Sequence, residues 1–172
     1  MSYVDTCCLM MFINRRDSIR RATGTTAIRN VESLFGRSRP RFLVPVPALG
    51  ETVQKVHDKH RCDGTEMDMY AELVRLMDGG FIEPRYLQHG RDVSRLFNRV
   101  VSVRIEDDRD RISPMDALIT ATAAVDPECG TMYTTDRDLM NNTVLKNEVG
   151  RWRDENGYSP MQIDNIMDIM RR

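Results

Sequence analysis

Ile112 to Leu139 reads ISPMDALITATAAVDPECGTMYTTDRDL, and two periods meet inside it. Ser113 is placed to cap a helix, and Pro114 suits its first turn, where the missing N–H would have had no partner in any case. That helix is predicted to run to about Val125. After Pro127 the pattern shortens, and Gly130 to Thr135 (GTMYTT) is predicted as a strand that ends at Asp136, where helical spacing resumes. Helix, short strand and helix in succession are the repeating unit of an α/β chain, so this stretch sets the frame for the rest.

The same alternation extends toward the N-terminus. Tyr3 to Leu9 is short and apolar, as expected of a buried central strand. Between Asp17 and Phe35 the apolar spacing predicts helix, broken near Gly24 and stopped at Gly36. Arg41 to Pro47 (RFLVPVP) is a second strand whose two prolines place it at an edge or at its own end. A helix follows from about Ala48 to Lys59. A clearer amphipathic one runs from Thr65, as cap, to Met77, with Met67, Tyr70, Leu73, Val74 and Met77 on one face. Residues 81–89 read as loop, Arg91 to Asn98 as a short helix with Val93, Leu96 and Phe97 inward, and Val100 to Ile105 (VVSVRI) as a third strand. Ser159-Pro160 opens a last helix carrying Ile163, Ile166, Met167 and Met170, a stripe suited to core or dimer packing. The expectation is a three-layer α/β sandwich: a central parallel sheet flanked by helices, formed by residues 1–172 as one domain.

Composition narrows the function classes. The 172 residues are 41% hydrophobic and 30% charged, an ordinary globular balance. No apolar run approaches the ~20 residues that span a bilayer. The opening lacks a secretion signal's basic start, and Cys7, Cys8, Cys62 and Cys129 show no paired spacing, so reduced thiols and a cytoplasmic location are expected. His57, His60 and Cys62 could share a metal ion, but no fourth ligand accompanies them, and a polar helix end is the simpler reading. No phosphate-binding glycine loop and no GxSxG elbow occur.

The charge is unevenly spread. Eight arginines stand against Asp17 and Glu32 between residues 15 and 41, so that segment is +6, while the total of −1 leaves −7 elsewhere. Arginine's planar fork matches phosphate. Arg15, Arg16, Arg20, Arg21, Arg37 and Arg39 are therefore candidate contacts to an RNA backbone, although arginine is abundant throughout this chain.

Four acids sit at the ends of elements: Asp5, Glu51, Asp116 and Asp136. Sites on open parallel sheets form beyond the carboxyl ends of strands, and acids that converge there need cations between them. Oxygen ligands select Mg²⁺ or Mn²⁺. Each acid also has a plain structural explanation. Asp116 completes a capping box, Asp136 caps a helix, and Glu51 complements a helix dipole. Asp5 is the hardest to explain away, because a carboxylate in an apolar strand carries a desolvation penalty.

Taken together, YVDTCCLMMF, ALGETVQKV and ISPMDALITATAAVDPECGTMYTTDRDL resemble, in order and type, the blocks of the PIN-domain family over about residues 3–140. The resemblance implies a parallel sheet with its first strand central, and metal-dependent hydrolysis of RNA phosphodiester bonds. Asp5, Glu51, Asp116 and Asp136 would be the catalytic, metal-holding carboxylates. Thr135 and Asp138 would support them from behind, with Mg²⁺ or Mn²⁺ as cofactor. A toxin with an antitoxin partner and an RNA-processing enzyme are both compatible, as is a silent RNA-binding scaffold in a processing complex. Homodimers are also compatible with the family, with the methionine-rich helices as candidate surfaces. The chain exceeds a minimal domain, which implies an insertion around 60–95 and a helical extension after 150. The expected short last strand has only Val144-Leu145 as a poor candidate.

Overall fold

The fold was read from a computed structural model, which describes residues 1–14, 42–62, 64–86, 89–102 and 112–170. Among the described residues are five strands and eight helices. They run β1 (Ser2–Val4), α1 (Thr6–Ile13), β2 (Phe42–Pro45), α2 (Val46–His60), α3 (Glu66–Asp78), β3 (Ile82–Arg85), α4 (Gly90–Ser102), α5 (Pro114–Ala124), β4 (Thr131–Thr134), α6 (Arg137–Asn141), α7 (Thr143–Glu155), β5 (Gln162–Asn165) and α8 (Ile166–Met170). All strand pairs are parallel, in the order β3-β2-β1-β4-β5. The three-layer α/β architecture and the central first strand are those expected.

Two directions of growth follow from that order. The chain steps outward from β1 through β2 to β3, then crosses back to β4 and on to β5. Right-handed crossovers put the helices of the first half on one face and those of the second half on the other. Accordingly α1, α2 and α3 pack on one another, and α4, α5 and α7 form the second group. Between β1 and β4 the winding reverses, and at such a point the loops diverge and leave a crevice.

Burial explains which strands the sequence revealed. Val4, Val44 and Met132 are completely buried in β1, β2 and β4. Ala117, Ala121, Ala123 and Ala124 let α5 pack closely in the core.

Several boundaries differ from expectation. The first strand ends at Val4, and Thr6 to Ile13 is helix with Asp5 as its cap. β2 is not an edge, since it pairs with both β1 and β3; Pro45 ends the strand and Pro47 lies in the first turn of α2. Residues 82–85 form β3 rather than loop. Val100 to Ser102 belong to α4, because Val93, Leu96 and Val100 make a buried helical stripe that outweighs the β-propensity of the valines. The rest of that run, 103–105, lies outside the described residues. In α3 the buried stripe is Met69, Leu73 and Leu76, while Met67 and Val74 are exposed. Thr65 makes no side-chain cap there. Finally, Gln162 to Asn165 is a strand, where helix from Ser159 was expected, and it pairs along β4. The expected helix across residues 17–35 falls outside the described residues.

At the start of β4 and β5, the wholly buried Arg153 ties the connecting turns together. Its guanidinium donates to the carbonyls of Ala124, Asp126, Pro127, Cys129 and Ser159 at 2.5–3.4 Å. The guanidinium also lies over the Tyr158 ring, 5.6 Å from its centroid.

Candidate active site at the carboxyl ends of the central strands

Beyond the carboxyl ends of β1 and β4 lie the residues that follow those strands. Strand β1 hands over to α1 through Asp5 alone. Its Oδ1 accepts from the Cys8 N–H at 2.8 Å, an ordinary N-cap bond. Its other oxygen, Oδ2, accepts from the Thr134 hydroxyl at the end of β4. The hydroxyl in turn accepts from the Asp136 N–H at 2.9 Å. One threonine thus joins the two acids across the sheet's reversal point. Asp136 caps α6 by accepting from the N–H groups of Asp138 and Leu139.

Glu51 and Asp116 come from helices. Glu51, in the second turn of α2, accepts from the Thr6 hydroxyl at 2.5 Å and pairs with Lys55 Nζ at 2.8 Å. Asp116 stands in the first turn of α5, where the Ser113 hydroxyl donates to its Oδ2 at 2.6 Å and accepts from its N–H at 3.1 Å. Helices α2 and α5 pack on each other.

The electrostatics link these groups. Asp5 is 3% exposed, and burial pushes its carboxyl above the usual carboxylate range. Hydrogen bonds from Thr134 and Cys8 oppose that shift, and the charge of Asp116 adds to it. Asp116 is also raised, first by burial. Its bond from Ser113 and the charge of Lys55 pull it down, whereas Glu51 and Asp136 push it up. The Cys7 thiol is pushed up to about 12 by burial, with Asp5, Asp136 and Asp116 adding to the shift. These influences favour the neutral thiol form of Cys7.

The structure brings the four sequence-selected acids into one electrostatic neighbourhood and corrects the group behind them. Thr134, not Thr135, makes the hydrogen bonds to the acids. Thr135 stands just before Asp136 in the motif that carries the resemblance, whereas the hydroxyl that reaches Asp5 is that of the last residue of β4. Asp138 contributes through its backbone N–H, and its side chain is exposed. Lys55 was also missed, although its spacing of four from Glu51 on a helix was a readable signal. The arginines at 15, 16, 20, 21, 37 and 39 lie outside the described residues.

No protein-family model, no curated protein and no solved structure matches this chain. The site must be judged on its own residues.

As positioned, no three His, Cys, Asp or Glu side chains among the described residues are arranged to hold an ion. His57 lies 3.0 Å from Glu66 and His60 lies 3.0 Å from Thr65, while Cys62 is exposed. In chemistry, however, the four carboxylates fit a hard divalent cation. They are oxygen donors, and two of them are held above their ordinary range partly by one another. Thr120, one helical turn beyond Asp116 on the same face of α5, adds a fully buried hydroxyl without a hydrogen-bond partner. Thr52 and Thr122, by contrast, each donate to the carbonyl one turn back.

Proposed function

We propose that this protein is a divalent-metal-dependent ribonuclease that hydrolyses phosphodiester bonds at Asp5, Glu51, Asp116 and Asp136. The observation that carries the reading is Asp5: a buried carboxylate at the reversal point of a parallel sheet, raised by burial and joined through Thr134 to Asp136. A purely structural cap would be served as well by serine or asparagine, without burying a charge.

Mg²⁺ or Mn²⁺, when bound, would supply hydroxide near neutral pH and stabilise charge on the leaving oxygen. The chain's own residues do the rest. Asp5 and Asp116 would be the principal ligands, with Glu51 and Asp136 completing the set directly or through water. Thr134 fixes the Asp5 carboxylate and the backbone of Asp136, so the two cannot drift apart. Ser113 does the same for Asp116. The arginines of residues 15–41 would hold flanking phosphates, giving affinity without sequence choice.

A second reading has its own support. Each acid already has a structural partner: Asp5 and Asp136 cap helices, Glu51 pairs with Lys55 and Asp116 accepts from the Ser113 hydroxyl, which suits a PIN-like RNA-binding scaffold that does not cut. Cleavage of labelled single-stranded and hairpin RNA in Mn²⁺, Mg²⁺ or EDTA separates the two. Metal-dependent cutting that Asp5→Asn and Asp116→Asn both abolish supports the nuclease. Binding without cutting, across metals and substrates, supports the scaffold. An antitoxin or a processing complex remains the alternative setting for either activity.

A further inference from the structure

Among the described residues, Lys55 is a positive charge that acts on two members of the acidic group, Glu51 and Asp116. It lies one turn beyond Glu51 on α2, and its Nζ is 2.8 Å from Glu51 Oε1. Its field pulls the carboxyl of Asp116 and the thiol of Cys7 downward. Desolvation lowers its own pKa, but the bond to Glu51 and the charges of Glu51, Cys7 and Asp116 outweigh that, so it stays an ammonium. The side chain is 36% exposed on a four-carbon stem, leaving it a path to solvent.

We infer that Lys55 is a built-in counter-ion of the carboxylate site, pairing with Glu51 in the metal-free protein and giving that oxygen up when a divalent cation enters. The inference rests on the metal-site reading above and deepens it by naming what the metal must displace. Two requirements coincide at this residue. The acids repel one another, so the metal-free fold needs a cation among them. A cation that could not withdraw would oppose a doubly charged ion held a few ångströms away. The exposed, flexible lysine meets both requirements, whereas a second buried arginine like Arg153 would meet only the first. One helical turn beyond Asp116 on α5, Thr120 keeps a fully buried hydroxyl with no hydrogen-bond partner among the described residues, an unsatisfied polar atom that a water or ligand would complete.

Two variants of the full-length chain test this, Lys55→Met and the charge-keeping Lys55→Arg, with Mn²⁺ titrated by calorimetry and melting followed in EDTA. Removing the charge should tighten Mn²⁺ binding about tenfold and lower the EDTA midpoint, while Lys55→Arg should bind within about threefold of the parent. Lys55→Gln serves in place of the methionine variant if that one does not fold. If the neutral variants bind Mn²⁺ no more tightly than the parent while the parent binds and cuts, Lys55 is not a competitor and only this inference falls. If no form binds Mn²⁺, the metal-site reading falls and this inference falls with it.

Discussion

The sheet carries a buried charge at each end, and the two are treated in opposite ways. Where β4 and β5 begin, the Arg153 guanidinium is enclosed and donates to five carbonyls. Its charge is dispersed over a ring of dipoles, and nothing about it calls for a further partner. Where β1 and β4 end, Asp5 is almost as deeply buried, yet the charges around it include more carboxylates. Buried charge by itself does not mark a functional site. What distinguishes the two ends is whether the surroundings complete the charge or compete with it.

The largest expected effect would break the quiet end. Arg153→Met should cost about 4 kcal/mol in urea unfolding, because it strands several buried carbonyls. Arg153→Lys should recover little, since an ammonium offers three donors without the planar fork. Neither should alter the response of the remaining folded protein to Mn²⁺. Next comes Asp5→Asn, which keeps a competent helix cap but removes the charge. RNA cleavage should fall at least about 100-fold and the Mn²⁺-dependent rise in melting temperature should disappear. The midpoint in EDTA should hold or rise. Collapse of that midpoint, as expected for Arg153→Met, would mean that both ends are structural.

Thr134→Val sharpens the comparison by removing the bridge and leaving both acids. It should cost about 1.5 kcal/mol and weaken Mn²⁺ binding roughly tenfold, read by unfolding and calorimetry. Ser113→Ala should cost about 1 kcal/mol through its lost cap, with a smaller effect on the metal because Asp116 keeps its place on α5.

The subtlest test is pH. Asp5 and Asp116 have folded-state pKa values above the unfolded value near 3.8. The native state therefore holds protons more tightly than the unfolded chain does. Stability from these groups is complete below the unfolded value and is lost as pH rises through the folded values. In EDTA the melting midpoint should fall as pH rises across that window, and Asp5→Asn with Asp116→Asn should flatten the decline. An equally steep decline in the double variant would place the effect elsewhere.

Much of this was legible in the chain, for identifiable reasons. Helix α5 and strand β4 announce themselves because Ser113 and Pro114 fix one end and the buried Met132 and Thr134 mark the other. The edge strands did not. In β3 (IEPR) and β5 (QIDN) only Ile82 and Ile163 are buried, so a half-solvated edge offers no apolar run to read. At the site, Asp5 and Asp136 follow a strand and cap the next helix, Asp116 lies in the first turn of α5 and Glu51 in the second turn of α2, positions that the spacing of strands and helices made readable. Thr134 was not legible, since adjacent threonines are indistinguishable until the strand's register is known. Lys55 was passed over because a lysine four residues after a glutamate usually signals no more than helix stabilisation.

The placement of β1 also bears on how this chain is made. Tyr3 pairs with Leu43 on one side and with Met132 on the other, so β1 is flanked by strands that come later in the chain. During translation its two backbone edges stay unpaired until β2 and β4 have left the ribosome. Contacts so distant in sequence also predict slow, late consolidation. The carboxylate cluster, which depends on both junctions, would be among the last features to form, so a truncated nascent chain would carry the acids without their arrangement.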